Sequence, residues 1–354
     1  MSETMRREIH GQPALLGELL PALRAGVAGL ELTGSRRVIA GGCGDGHFAA
    51  GAAAGLFHAA GVDYRPASAM EIAYHQPLRQ DDLVILLSIS GNTRRTVEAA
   101  RRAREAGAGT LAIGCSARGE LSKHCQQTLL LPFQPLSRAT PHTADYLATL
   151  LALAVLAERW RGERDISLDA LPALVMRILD LAREPASAFA ADYDPTSRLF
   201  VLGQGPNLAT AGYIAAKFHE AGGLPAFPLE TENFVHGPNF MLEPDDRVCL
   251  LANDGEGAFR ARELLPGLAR LCRRVVCTET DFEPMDGTAD GLLTIATPPL
   301  SPALSVFSNA VVGQLLCLAV VEALGLAVES PRAGRAGGAL HGEIQNGWMR
   351  DTRT

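Results

Sequence analysis

Short runs of apolar residues, each ending in a glycine- or serine-rich turn and followed by a helical stretch, recur along almost the whole chain. Arg36 to Ala40 is the first, running into Gly41-Gly42-Cys43-Gly44-Asp45-Gly46 and an alanine-rich helix to Ala60. Val62 to Arg65, Leu83 to Leu87, Thr110 to Ile113 and Thr128 to Leu131 follow, with a helix expected over Thr93 to Ala106. Apolar runs this short read as buried strands, and strands alternating with helices imply parallel β-α-β units. Thr143 to Trp160 is a long apolar helix, and the polar stretch 161–165 breaks the pattern. It then begins again. Leu168 to Phe189 reads as helical, and Arg198 to Leu202 leads into Gly203-Gln204-Gly205-Pro206-Asn207 and a helix to Glu220. Strands are expected near Ala226 to Leu229, Arg247 to Leu251, Arg274 to Thr278 and Leu292 to Ala296, before a closing apolar helix over Leu304 to Leu326. The reading is an α/β protein of two similar doubly wound domains, 1–165 and 166–330, with a Gly/Arg-rich tail over 331–354.

Composition narrows what such a chain does. With 354 residues there is material for about two full cores, and 47% hydrophobic with 20% charged residues is a globular balance. A net charge of −7 argues against nucleic acid or an anionic membrane as main partner. The seven cysteines are scattered without a C-x-x-C, which fits reduced thiols rather than a disulfide or zinc framework. The N-terminal stretch has no apolar signal core, and no window reaches the roughly 18 apolar residues of a membrane span. A soluble, cytoplasmic protein is expected.

The chemistry is concentrated after the third apolar run. Ser88, Ile89, Ser90, Gly91, Asn92 and Thr93 place three hydroxyls and a glycine between the end of a strand and the start of a helix. Hydroxyls and the unpaired N–H groups of a helix start donate to anion oxygens, and the helix dipole favours negative charge there. The plainer alternative is a Ser/Thr-capped helix. In an acidic protein an anion site must be built locally, which favours a small ligand. The second half carries Asn253-Asp254-Gly255-Glu256 at the matching place, where two carboxylates would repel phosphate. It offers instead Lys217, His219 and Glu220 near a helix end, then Glu232-Asn233 and His236-Gly237-Pro238. One half reads as holding a ligand and the other as supplying acid–base groups.

These motifs resemble the double-SIS (sugar isomerase) family, which includes the isomerase half of glucosamine-6-phosphate synthase, fructosamine-phosphate deglycases and aminosugar-phosphate deaminases. The resemblance rests on Ser88 to Thr93 with the following Thr110-to-Ser116 strand, on Met5-x-x-Glu8-Ile9-x-x-Gln12-Pro13, and on the run from Leu202-Gly203-Gln204-Gly205 through Lys217-x-x-Glu220 to His236-Gly237-Pro238. It implies two flavodoxin-like SIS domains with parallel sheets flanked by helices, in a homodimer with sites at the subunit interface. It assigns phosphate binding to Ser88, Ser90 and Thr93 with backbone help from Ile89, and sugar contacts to the loop Cys43, Gly44, Asp45, Gly46. Glu220 corresponds to the base that moves a proton between C1 and C2. His236 corresponds to a histidine that assists ring opening from the neighbouring subunit, and Lys217 to a helix lysine near the site. Glu71 matches a glutamate common in the first domain.

Departures from that pattern matter. Asp45 and Gly46 stand where the family has threonine and serine, so a contact to phosphate or sugar is lost or altered. The synthase uses a lysine in its tail, but the residues after Pro331-Arg332 contain none, and arginine stays protonated and cannot form a Schiff base. His341 or Arg335 is a candidate to occupy that space. The glutamine-hydrolysing domain has no counterpart, so amide transfer from glutamine is not expected of this chain.

Other classes find weaker support in the same residues. Gly42-x-Gly44-x-Gly46 with Asp63 beyond it is a weak dinucleotide signal and leaves the serine loop unexplained. No metal-ligand spacing is present, and no metal or cofactor is expected. A non-catalytic sugar-phosphate sensor would not need Lys217, Glu220 and His236. Burial is expected to tune Glu220 as a base, and the plainer alternative is a helix C-terminal glutamate ion-paired to Lys217 or Arg262. The expected function is aldose–ketose isomerisation of a sugar phosphate through an enediol, with a deglycase or deaminase using the same proton step as the alternative.

Overall fold

The computed structural model describes residues 2–32, 37–137, 141–252, 257–278, 291–297, 301, 303–330, 340, 341 and 344. Its first half contains strands β1 (Arg37–Gly42), β2 (Asp63–Ser68), β3 (Asp82–Leu87), β4 (Gly109–Gly114) and β5 (Gln127–Leu130). Its second contains β6 (Leu199–Gly203), β7 (Ala226–Glu230), β8 (Arg247–Leu250), β9 (Arg274–Thr278) and β10 (Leu292–Ile295). Each set forms one five-stranded sheet, in the orders β2-β1-β3-β4-β5 and β10-β9-β8-β6-β7. Read from its own first strand, the second order repeats the first. All the pairings are parallel. The expected doubly wound, flavodoxin-like architecture is therefore present twice.

The central strands follow from their sequences. Every residue of β1, β3, β6 and β8 is buried, as unbroken apolar runs covered by helices on both faces require. Charged residues at two strand starts are paired rather than exposed. Arg37 donates to both oxygens of Asp82 at 2.8 and 2.6 Å, and Arg198 does the same to Asp246 at 3.0 and 2.6 Å.

Helix boundaries differ from the expectation where prolines intervene. The stretch 168–189 is three helices, Ile166–Asp169, Leu171–Leu181 and Arg183–Ala190. Pro172 sits in the first turn of the second and Pro185 near the start of the third, positions where a missing N–H costs nothing. The alanine-rich stretch after β1 likewise divides into Asp45–Ala52 and Ala54–Ala59.

The sequence reading assigned no element to the N-terminus, which forms the helix Glu3–Ala28. Its buried residues Met5, Ile9, Gln12, Leu16, Leu19, Leu20, Leu23 and Val27 recur at helical spacing along one face. That face packs on Ala144–Arg161 from the first half and Leu171–Leu181 from the second. One apolar core accordingly runs through both halves.

Ser305–Ala323 is long and apolar enough to cross a membrane, with a mean hydropathy of 1.7, contrary to the sequence reading. Of that window 83% is buried inside the fold, and the buried Ser305, Ser308, Asn309 and Gln314 lie along it. It is a core helix, packed on Arg183–Ala190 and on Pro206–Gly222.

Strand order locates the working edge. In a 2-1-3-4-5 sheet the chain reverses its direction of winding between the first and third strands, and the crevice there opens at the strands' carboxyl ends. The loops after β1 and β3 flank it.

Candidate functional site at the strand ends

The loop after β3 is shaped by its own backbone. Gly91 takes a φ of 67° with Gly119 packed against it, and its carbonyl accepts from Leu121 N–H at 2.8 Å. The Ile89 carbonyl accepts from Cys115 N–H at 3.1 Å, tying the loop to the end of β4. Gly114 is required there, because a Cβ would stand 2.1 Å from the Ser88 carbonyl oxygen. Gly114→Ala is expected to cost about 1–3 kcal/mol, measured as a lowered urea midpoint with an unchanged slope.

The hydroxyls are not spent on capping. Ser88 Oγ and Thr93 Oγ1 lie 3.0 Å apart, and Thr93 forms no side-chain cap on the helix Arg94–Glu105. Ser90 Oγ accepts from Asn92 N–H at 3.2 Å, which leaves its own O–H free to donate. A capped helix start is thus the poorer description. Thr96 Oγ1 donates to Cys43 Sγ at 3.8 Å and joins this helix to the loop after β1. Burial raises the Cys43 thiol, so it stays protonated rather than acting as a nucleophile.

Gly44 begins the helix Asp45–Ala52 at φ 52°, ψ −123°, and Gly205 begins Pro206–Gly222 at φ 53°, ψ −132°. The same glycine-only turn therefore follows the first strand of each half. The two helices pack closely: a Cβ on Gly51 would come within 2.6 Å of Ala209 Cβ, and one on Gly212 within 2.7 Å of the Phe48 ring. That approach brings Asp45 to Lys217, whose Nζ donates to Asp45 Oδ2 at 3.0 Å and to Glu220 Oε2 at 2.6 Å.

Lys217 is fully buried, and its ammonium also lies 5.1 Å from the Tyr213 ring centroid. Burial alone would favour the neutral amine, but the two carboxylates outweigh it and raise Lys217 above its usual value. Burial pushes the Asp45 carboxyl up against the pull of Lys217, and Asp45 Oδ1 is sealed without a hydrogen-bond partner among the described residues. Glu220 is the open member of the trio, with 44% of its side chain accessible. Lys217 is the most buried of the three, followed by Asp45.

Residues 31–159 match the SIS domain family. The first half of the chain thus carries a SIS domain. The chain is 28% identical over 287 residues to the isomerizing glutamine–fructose-6-phosphate aminotransferase of Mycolicibacterium paratuberculosis, an alignment covering 75% of this chain and 44% of the relative. The chain spans about half the length of the curated relatives it matches. Among solved structures, the glucosamine-6-phosphate deaminase of Thermotoga maritima superposes with a TM-score of 0.77 at 18% identity, over 93% of this chain and 97% of that one. The tagatose-6-phosphate ketose/aldose isomerase of Escherichia coli superposes at 0.73 and 22% identity, over 91% and 93%. These likenesses show the fold: two SIS-type sheets in one chain.

Within the SIS fold the anticipated residues divide. Lys217, Glu220 and Asp45 meet, beside a crevice flanked by Cys43 to Gly46 and Ser88 to Thr93. His236 does not join them. It closes the short helix Thr231–Val235, as His75 closes Ala69–Tyr74 in the first half, and 71% of its side chain is accessible. Its Nε2 lies 3.2 Å from Glu232 Oε1, and Arg260 donates to Glu232 at 2.6 Å. Glu71 is exposed and donates its N–H to the Ser68 cap. His219 bonds the Ala226 carbonyl at 2.8 Å, a structural contact. Asn253 to Glu256 and Pro331 to Gly338, with Arg335, lie outside the described residues.

Two residues near the site escaped the sequence reading. His142 and Asp145 flank the start of Ala144–Arg161, with Nδ1 and Oδ2 2.8 Å apart. The Tyr213 hydroxyl donates to the His142 carbonyl at 3.3 Å, on the same helix face as Lys217.

Proposed function

We propose that this SIS protein acts on a six-carbon sugar phosphate, interconverting aldose and ketose through an enediol. The observation that carries this reading is the Asp45–Lys217–Glu220 trio, in which a buried, charged lysine holds an accessible carboxylate beside the two crevice loops. Ser88, Ser90, Thr93 and the helix start receive the phosphate, with Ile89 supplying backbone contacts. Glu220 takes the proton from one of C1 and C2 and returns it to the other, while the carbonyl and hydroxyl oxygens exchange roles. Lys217 orients Glu220 and favours negative charge developing nearby. No cofactor enters these steps.

The homodimer belongs to this proposal. His236 faces solvent and pairs with Glu232 rather than with its own chain's trio, and Phe240, 87% exposed, stands just beyond it. A second subunit covering Phe240 would carry His236 toward a neighbouring site.

The reading is tested by solvent deuterium uptake at C1 or C2 of hexose 6-phosphates, followed by NMR. Ammonia or amino-acid release from aminosugar or fructosamine phosphates would instead support the deaminase or deglycase chemistry that shares the proton step. Replacing Ser90 and Thr93 together by alanine should remove charge-assisted bonds worth about 1.5–3 kcal/mol each. The expected result is a weaker sugar-phosphate affinity by calorimetry, with the melting temperature little changed; retained affinity would refute the anion cradle.

A further inference from the structure

Asp145 is a buried carboxylate, its side chain 2% accessible, and neither oxygen finds a hydrogen bond among the described residues. Its one ion-pair partner there is His142. The ring meets it through Nδ1, which is itself sealed from solvent, while 35% of the His142 side chain stays accessible. A buried carboxylate 2.8 Å from one ring nitrogen favours a proton on that nitrogen and leaves the other nitrogen to exchange protons. The charged groups around the ring are Asp145 on its own helix, Glu8 on the N-terminal helix, Asp45 after β1 and Lys217 on Pro206–Gly222. Asp145, then Asp45, hold His142 above its usual value against burial and Lys217. The ring therefore stays protonated further toward neutral pH than a free histidine does.

We infer that His142, paired with the buried Asp145, is a second acid–base group of this cleft, carried by the same chain as Glu220, and that it delivers the proton that opens the sugar ring. This rests on the sugar-phosphate reading above. In the step, the bond from the anomeric carbon to the ring oxygen breaks and that oxygen takes the proton from His142 Nε2. The anomeric hydroxyl gives its proton to water and becomes the carbonyl. His142 is left neutral and recovers a proton from solvent.

A substrate without a ring separates this role from all others. Fructose 6-phosphate and tagatose 6-phosphate cyclise through the oxygen on C5, so their 5-deoxy analogues stay open. In wild type, deuterium should exchange into both forms of whichever sugar is accepted. His142→Gln should lower kcat on the cyclising sugar by about 100-fold or more and leave the 5-deoxy analogue within about twofold. Asp145→Asn, as a positioning change, should give the same split and move the alkaline fall in activity to lower pH. Equal losses on both substrates, or none on either, would overturn the inference about His142 alone. Wild type that exchanges deuterium into no sugar phosphate would overturn the functional reading and the ring-opening step together.

Discussion

Lys217→Met is expected to destabilise the fold by about 3–5 kcal/mol, because it leaves the mostly buried Asp45, its Oδ1 sealed, without its counter-charge. The methionine keeps the length and apolar stem of the side chain, so the loss reports the charge rather than a cavity. Urea unfolding should show a lower midpoint, and Lys217→Met combined with Asp45→Asn should recover much of the difference. A double variant no more stable than the single one would show that Asp45 is not what Lys217 supports. The pH dependence has a definite sign. The folded state raises the Lys217 pKa above the ordinary 10.5, so its contribution is complete below that value and is lost as pH rises through the folded value. The gap between wild type and variant should thus be constant near neutrality and close only in strong alkali.

Glu220→Gln should lower deuterium uptake at C1 and C2 by about 10²–10⁴-fold. Substrate affinity should change little, since glutamine still accepts from Lys217, while a modest fall in melting temperature is expected because the buried Lys217 keeps only one of its two counter-charges. Uptake persisting at the wild-type rate would remove Glu220 as the proton shuttle. Asp45→Asn provides the internal comparison. Asp45 is the other carboxylate on Lys217, and its sealed Oδ1 marks it as the fixed partner rather than the moving one.

Much of the fold was legible because its signals are local. An apolar run such as Leu83 to Leu87 identifies itself as a strand buried on both faces, and the glycines after β1 and β6 announce turns that side chains would strain. The prolines at 172 and 185 were visible too, but an apolar pattern spanning them reads as one helix. The N-terminal helix carries its apolar spacing in the sequence, but the face it makes is meaningful only against the two helices that cover it.

The site divided along the same line. Ser88 to Thr93 is contiguous, so its hydroxyls and helix start could be read together. His142 and Asp145 left a faint signal, a histidine three residues before an aspartate at the start of an apolar helix, which reads equally as a cap. Asp45 reads from the sequence as a ligand contact, and nothing near it in the chain points to a lysine 172 residues away. Thus the sequence by itself determined two rounds of strand, glycine turn and helix, together with the chemistry of each loop, since these depend on neighbours a few residues apart. Only the tertiary structure decided which charges are sealed and which stay open. That outcome depends on how closely two helices approach at Gly51 and Gly212, and so on which carboxylate a buried ammonium reaches when the halves close on one another.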